Sequence, residues 1–134
     1  KIYNYDNNII IDDTYNSNLE SAKEGILNLS NYSSKHRCIA VIGDMLELGD
    51  KAVLYHQQLG DYISTKNIDA VFGFGKLTKY TIETLKSKNI NAFSFNDKEK
   101  LSFELKKFIK KDDIILFKAS RGMYLEKIIK MVFE

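Results

Sequence analysis

No proline and no tryptophan occur in this chain, and cysteine occurs once, at Cys38. The missing Pro and Trp, beside an abundance of Lys, Asn and Ile, reflect codon bias more than function. A lone thiol cannot close an internal disulfide, so nothing here points to secretion. Set between Arg37 and the apolar run Ile39, Ala40, Val41, it is expected to be a packed, inert thiol. Histidine is nearly as scarce, with two residues. His36 falls in a loop, and His56 lies on a helical stretch with no second ligand three or four residues on. The pair therefore does not make a metal set. No apolar run approaches the roughly 18 residues that a membrane helix needs. The start lacks a basic, apolar, small-residue leader. A reducing, cytoplasmic setting without membrane insertion is the expectation.

A strong charge of either sign is absent too. Twenty Lys and Arg against 18 Asp and Glu leave +2, which gives no electrostatic case for nucleic acid or an acidic membrane as partner. The one basic cluster, Lys106, Lys107, Lys110 and Lys111, is interrupted by Phe108 and Ile109 and reads as a solvated helix face. What is present is an ordinary globular balance, 44% hydrophobic and 28% charged over 134 residues. That suits one domain, residues 1–134, with a sizeable core. The chain opens on Lys1, and "KIYNY" reads as cut into a strand already under way, so a piece of a longer protein is expected.

Apolar periodicity divides the chain into short and long segments in alternation. "KIYNY" and "NIIID" flank the turn-prone Asp6-Asn7-Asn8 and predict an edge hairpin. Strands are expected at "RCIAVI", "DAVFGF", "NAFSF" and "DIILF". Helices are expected around Leu19–Leu29, Ala52–Tyr62, Leu77–Leu85, Leu101–Ile109 and Leu125–Val132, each with apolar residues at helical spacing. This pattern predicts an α/β, Rossmann-like three-layer fold: a mostly parallel sheet, an antiparallel edge hairpin, and helices on both faces.

In such a sheet ligands bind beyond the carboxyl ends of the strands, so the residues there matter most. Four ends are polar, charged or glycine-bearing: "DDTYNSN" (12–18), "GDMLELGD" (43–50), "GFGK" (73–76) and "KASRG" (118–122). In the first, Ser17 with Glu20 fits a capping box, which accounts for Ser17 and Asn18 as well as a ligand would. It leaves Asp12, Asp13, Tyr15 and Asn16 unexplained, and successive carboxylates at a strand end call for a partner such as ribose hydroxyls or a cation. The second carries Asp44, Glu47 and Asp50. It fits either a solvated loop with Asp50 capping the next helix or, given Met45, Leu46 and Leu48, a structured loop packed on the body. "GFGK" is a tight turn: a phosphate loop would need glycine at Ala70 and a hydroxyl at Leu77. "KASRG" is expected to open the last helix, where Lys118, Ser120 and Arg121 favour a carboxylate or phosphate, or where Ser120 is a plain N-cap. "FNDKEK" reads as ordinary helix initiation.

In order along the chain, "DDTYNSN", "GDMLELGD" with His56 after it, and "KASRG" resemble the carboxyl-terminal domain of the Mur ligases. That domain carries a D-D-x-Y-N-A-N-P type motif, then G-D-M-x-E-L-G with a later histidine, then K-G-S-R. Ser17, Leu19 and Ala119 stand where the family pattern has Ala, Pro and Gly. Tyr15-Asn16-Ser17, and the lack of an Asn-Pro-Arg signature, are similar to the branch that adds a dipeptide rather than the one that adds a diamino acid.

The resemblance implies ATP-dependent amide formation in bacterial peptidoglycan synthesis. The terminal carboxylate of UDP-N-acetylmuramoyl-tripeptide is phosphorylated, and the amine of D-alanyl-D-alanine displaces phosphate from the acyl phosphate. ATP and Mg2+ belong to the full-length enzyme, whose UDP-binding and central ATPase domains would be this chain's partners. The chain alone would hold neither tightly and would carry no complete catalytic set. The resemblance assigns Asp13 and Asn16 to ATP, Asp13 at the ribose. It assigns Tyr15, Asp44, Glu47, Lys118, Ser120 and Arg121 to substrate, Ser120 most directly. Two alternatives of other classes fit less. One is a phospho-receiver, for which Asp12-Asp13 and Lys118 are suggestive but Gly73, Phe74 and Gly75 occupy the phospho-acceptor strand end. The other is a non-catalytic Rossmann-like binding module.

Overall fold

Strands that are apolar at every position belong in the middle of a sheet covered on both faces, and strands that alternate belong at its edges. The computed structural model, which describes residues 1–134, sorts them that way. β3 (Cys38–Gly43) and β6 (Ile114–Lys118) are buried throughout. β1 (Ile2–Tyr5) and β5 (Ala92–Phe95) are partly exposed edges, with β2 (Asn8–Asp13) and β4 (Ala70–Phe74) between. The order is β1-β2-β6-β3-β4-β5. β1 runs antiparallel to β2, with Tyr3 opposite Ile10, and every other pair is parallel. The Asp6-Asn7 turn of this hairpin puts Asp6 at φ 50°, a left-handed value that Asp tolerates.

Helices α1 (Leu19–Ser30), α2 (Ala52–Ser64) and α3 (Thr78–Ser87) cover one face, and α4 (Lys98–Phe108) and α5 (Glu126–Phe133) the other. Alternation along β3 shows the division: Cys38, Ala40 and Ile42 join the core under α1–α3, while Ile39 and Val41 join the core under α4–α5. No helix is long and apolar enough to cross a membrane. The α/β architecture and edge hairpin expected from the sequence are therefore observed. The order of the parallel strands differs from a receiver's, in which the second strand lies outside the first. Here the last strand, β6, is inserted between the first two parallel strands.

Three local expectations are corrected. The α1 cap is Asn18, not Ser17: Asn18 Oδ1 accepts from the Ser21 amide at 2.8 Å and Ser21 Oγ accepts from the Asn18 amide at 3.0 Å. Serine at the third helical position serves in place of the usual Glu or Gln, and Ser17 is buried before the helix begins. Asp50 caps nothing. It sits in a 3-10 turn, Gly49–Lys51, and α2 starts without a side-chain cap. "KASRG" does not open α5. Lys118 ends β6, Arg121–Met123 form a 3-10 turn, and α5 begins only at Glu126. The Asp97 side chain does cap α4, as the sequence suggests.

Candidate functional site

The insertion of β6 creates the site. The chain leaves β2 for α1 and β3 for α2 on one face, but leaves β6 for α5 on the other. Both neighbours of β6 thus send their connections away from its own, and a crevice opens at the carboxyl ends of β2, β6 and β3. Three of the four polar strand ends meet there. The fourth, the Gly75 turn, touches the group only through Asp44.

Lys118 is the organising cation on the β2 side. Its side chain is 4% exposed, and its ammonium lies 3.0 Å from Asp13 Oδ2, whose own side chain is 45% exposed. It also donates to the Asn16 carbonyl at 2.6 Å. A buried ammonium must be paired and hydrogen-bonded to be tolerated, and these two contacts do both. Asp12, next to it, is spent locally: Oδ1 accepts from the Thr14 amide and hydroxyl at 3.2 and 2.7 Å. Of the two successive acids, only Asp13 faces the crevice.

On the β3 side, residues 43–48 form a structured loop in which two successive amides, Met45 and Leu46, are satisfied by side chains from elsewhere. Asp44 Oδ1 accepts from the amides of Leu77 and Thr78 at 3.0 and 2.8 Å, so this carboxylate caps α3 across a sequence gap of over thirty residues. Any Cβ at Gly75 would overlap that carboxylate, and Gly75 has φ 122°, so the turn requires glycine twice over. The Met45 amide donates to His56 Nε2 at 3.0 Å, and the Leu46 amide donates to Ser120 Oγ at 2.9 Å. Ser120, 8% exposed, also donates from its hydroxyl toward the Ser17 carbonyl at 3.4 Å and from its amide to the Asp44 carbonyl at 3.4 Å. One serine joins all three strand-end segments.

Outside this knot lie the accessible groups. The Arg121 guanidinium stands 5.1 Å over the Tyr15 ring, with Nη1 3.5 Å from its hydroxyl, and the Tyr15 ring is 69% exposed. Glu47 is exposed at φ 65°. Ala119 is fully buried against Gly43 without a positive φ, so alanine fits where the family pattern has glycine.

Comparison with known proteins identifies the family. The family model described as "Mur ligase, glutamate ligase domain" matches residues 1–121. The chain belongs to the Mur ligase family. It is 40% identical over 127 residues to the UDP-N-acetylmuramoyl-tripeptide--D-alanyl-D-alanine ligase of Bacillus subtilis, covering 93% of this chain and 28% of that protein. The Escherichia coli protein of that name is 30% identical over 131 residues, covering 96% and 28%. Among solved structures, a MurF ligase from Thermotoga maritima in complex with ADP superposes with a TM-score of 0.82 at 28% identity, covering 98% of this chain and 29% of that one. An Acinetobacter baumannii MurF gives 0.85 at 23% identity, with 99% and 29% covered, which speaks for the fold. The chain spans less than a third of the length of these relatives.

In this Mur ligase C-terminal domain, the sequence-predicted residues divide into two groups. Asp13, Tyr15, Asn16 and Lys118 line a polar groove of about 310 Å³. Asp44, Glu47 and Ser120 belong to the 43–48 loop and its tie to β6, and Arg121 bridges the groups through Tyr15. The groove's other wall went unpredicted: Ser21, Glu24, Gly25 and Asn28 of α1. Their three- and four-residue spacing puts them on one face, a periodicity legible in the sequence but masked by the apolar stripe beside it. His56 was also underrated, being fully buried and bonded at both ring nitrogens. Burial pushes its imidazole below the ordinary value, against the Ala52 carbonyl and the Asp44 carboxylate, which pull upward. Burial likewise pushes the Cys38 thiol up to about 11, in keeping with an inert role. No group of three or more His, Cys, Asp or Glu side chains is arranged to hold a metal ion.

Proposed function

We propose that residues 1–134 are the carboxyl-terminal domain of an ATP-dependent ligase joining D-alanyl-D-alanine to UDP-N-acetylmuramoyl-tripeptide in bacterial cytoplasm. In this reading the chain closes over ATP held by a central domain, helps to bind the dipeptide, and does not turn over alone. Asp13 is the observation that carries it: one carboxylate oxygen is fixed by a buried ammonium while the side chain stays 45% exposed at the groove. A pre-oriented ionised acceptor of this kind suits the hydroxyls of a ribose. Asn16 lies beside it, its carbonyl held by Lys118. Asp44 and Ser120 shape the acceptor side, Ser120 keeping one lone pair for a dipeptide atom, while Glu47, Arg121 and Tyr15 present polar and aromatic surface at the mouth.

The reaction in this reading has two steps. The γ-phosphoryl of ATP passes to the terminal carboxylate of the tripeptide and ADP departs; the dipeptide amine then attacks the acyl carbon, losing a proton as phosphate leaves. This chain contributes orientation and electrostatic stabilisation. Lys118 holds Asp13 in place, Arg121 brings positive charge near the reacting groups, and closure excludes water. Magnesium, expected with ATP in the parent, would neutralise phosphate charge, and the groove's carboxylates, Asp13 and Glu24, have no third ligand beside them that would make a site for it. The test is phosphate release by the full-length parent given ATP and the tripeptide, with D-alanyl-D-alanine, with single amino acids, or with neither. Turnover that requires the dipeptide is expected. Turnover with a single amino acid moves the protein to a sibling ligase.

A further inference from the structure

Four hydrogen bonds in three links form a closed circuit behind the acceptor side. The 43–48 loop reaches α3 through Asp44, whose carboxylate caps the Leu77 and Thr78 amides. α3 reaches α2 through Thr81, whose hydroxyl donates to the His56 carbonyl at 2.6 Å. α2 returns to the loop through the His56 ring, whose Nε2 accepts from the Met45 amide at 3.0 Å. Since Nε2 accepts, the ring proton sits on Nδ1, which donates to the Ala52 carbonyl at 2.7 Å. The packing that closes the circuit is tight: a Cβ at Gly60 would lie 2.9 Å from the Thr81 carbonyl oxygen. Neither His56 nor Thr81, both fully buried, can touch a ligand.

We infer that His56 is a positioning residue for the acceptor amine: its neutral ring sets the 43–48 loop, and through the Leu46 amide the Ser120 hydroxyl, without bearing on the nucleotide side. The argument is one of connectivity. Met45 and Leu46 have adjacent amides, one held by His56 and the other by Ser120, so rotation of the loop to satisfy a lost His56 bond disturbs Ser120 directly. Lys118, Asp13 and Asn16 make no hydrogen bond to the loop, whose one tie toward them is the long contact of the Ser120 hydroxyl with the Ser17 carbonyl, 3.4 Å. The inference rests on the functional reading above and names a specificity-determining support for it.

The experiment is steady-state phosphate release by the full-length parent, wild type against His56→Phe, His56→Gln and Thr81→Val. Phenylalanine fills the site but leaves the Met45 amide unpaired, and a buried unpaired donor corresponds to a rise of about tenfold in the KM for D-alanyl-D-alanine. The KM for ATP stays unchanged. Glutamine, whose Oε1 can stand in for Nε2, restores most of the difference. Thr81→Val, which frees the His56 turn without touching the ring, moves the dipeptide KM the same way by a smaller factor and carries the test if His56→Phe does not fold. Equal rises in both KM values, a fall in kcat with both unchanged, or no effect of either variant overturns the assignment. A wild-type enzyme without dipeptide-dependent turnover overturns the functional reading itself and the acceptor role with it.

Discussion

Removing Asp13 should destabilise the chain more than removing Lys118, although Asp13 is the more exposed partner. In Asp13→Ala the Lys118 ammonium, on a side chain that is 4% exposed in the intact pair, keeps the Asn16 carbonyl as its sole remaining protein acceptor. Stranding a fully buried charge costs about 3–5 kcal/mol. The vacated position borders the open groove, so water replaces part of the lost partner and the expected loss is about 2 kcal/mol. In Lys118→Met the apolar stem is kept, the half-exposed Asp13 is solvated, and the Asn16 carbonyl lies on an exposed residue, so the loss is about 1 kcal/mol or less. The double variant should resemble Lys118→Met, because no stranded cation remains. Urea unfolding followed by circular dichroism reads this directly. With a slope of about 2 kcal/mol per molar, Asp13→Ala lowers the midpoint by about 1 M and Lys118→Met by about half of that or less. Equal midpoints for the two single variants, or a lower one for Lys118→Met, would refute the view that Asp13 is held by, and needed by, a buried cation.

The remaining expectations concern the supports of the site. Asp44→Ala removes the cap from two α3 amides and should cost about 1–2 kcal/mol, whereas Asp44→Asn, which keeps an acceptor at Oδ1, should cost less than half as much; thermal melts distinguish them. Asn18→Ala should destabilise by about 1 kcal/mol through loss of the α1 cap, while Ser17→Ala leaves that cap intact; hydrogen exchange at the Ser21 amide reports which residue holds it. His56 should make stability pH-dependent. Its folded-state pKa is depressed by burial, so its contribution is complete above the unfolded value, about 6.5, and is lost as pH falls through the lower folded value. Unfolding midpoints between pH 7.5 and 5 should fall more steeply in wild type than in His56→Gln.

Most of the scaffold was legible because burial writes itself into sequence. The fully apolar runs "CIAVI" and "IILF" mark central strands, and helical spacing in Leu101, Leu105 and Phe108 marks α4 with little ambiguity. The turn at Gly75 was readable from its failure to complete a phosphate loop. Caps were harder. Ser17-x-x-Glu20 matches the capping pattern as well as Asn18-x-x-Ser21 does, and the choice depends on Ser17 being drawn into the crevice, where its carbonyl meets Ser120. Asp44 was harder still. Its partners are backbone amides more than thirty residues away, and no local pattern announces a cap supplied from another loop.

The same point explains why the site is assembled where it is. Residues 13–18 and 43–48 lie at the ends of strands that do not touch each other in the sheet; β6, between them, is the one strand that both contact. Asp13 pairs in register with Lys118 on one side, and Ile42 pairs with Lys118 on the other. The strand that carries the organising cation is therefore also the strand that brings the two polar ends together. It arrives last, after α4 has crossed from the far edge β5 over the opposite face. Until β6 docks, Asp13 has no cation, the Leu46 amide has no Ser120, and Ser17 has no reason to be buried. Site formation and sheet completion are consequently one event, and variants that weaken β6 docking should lose ligand contacts on the nucleotide and acceptor sides together. Local variants such as His56→Phe should separate them.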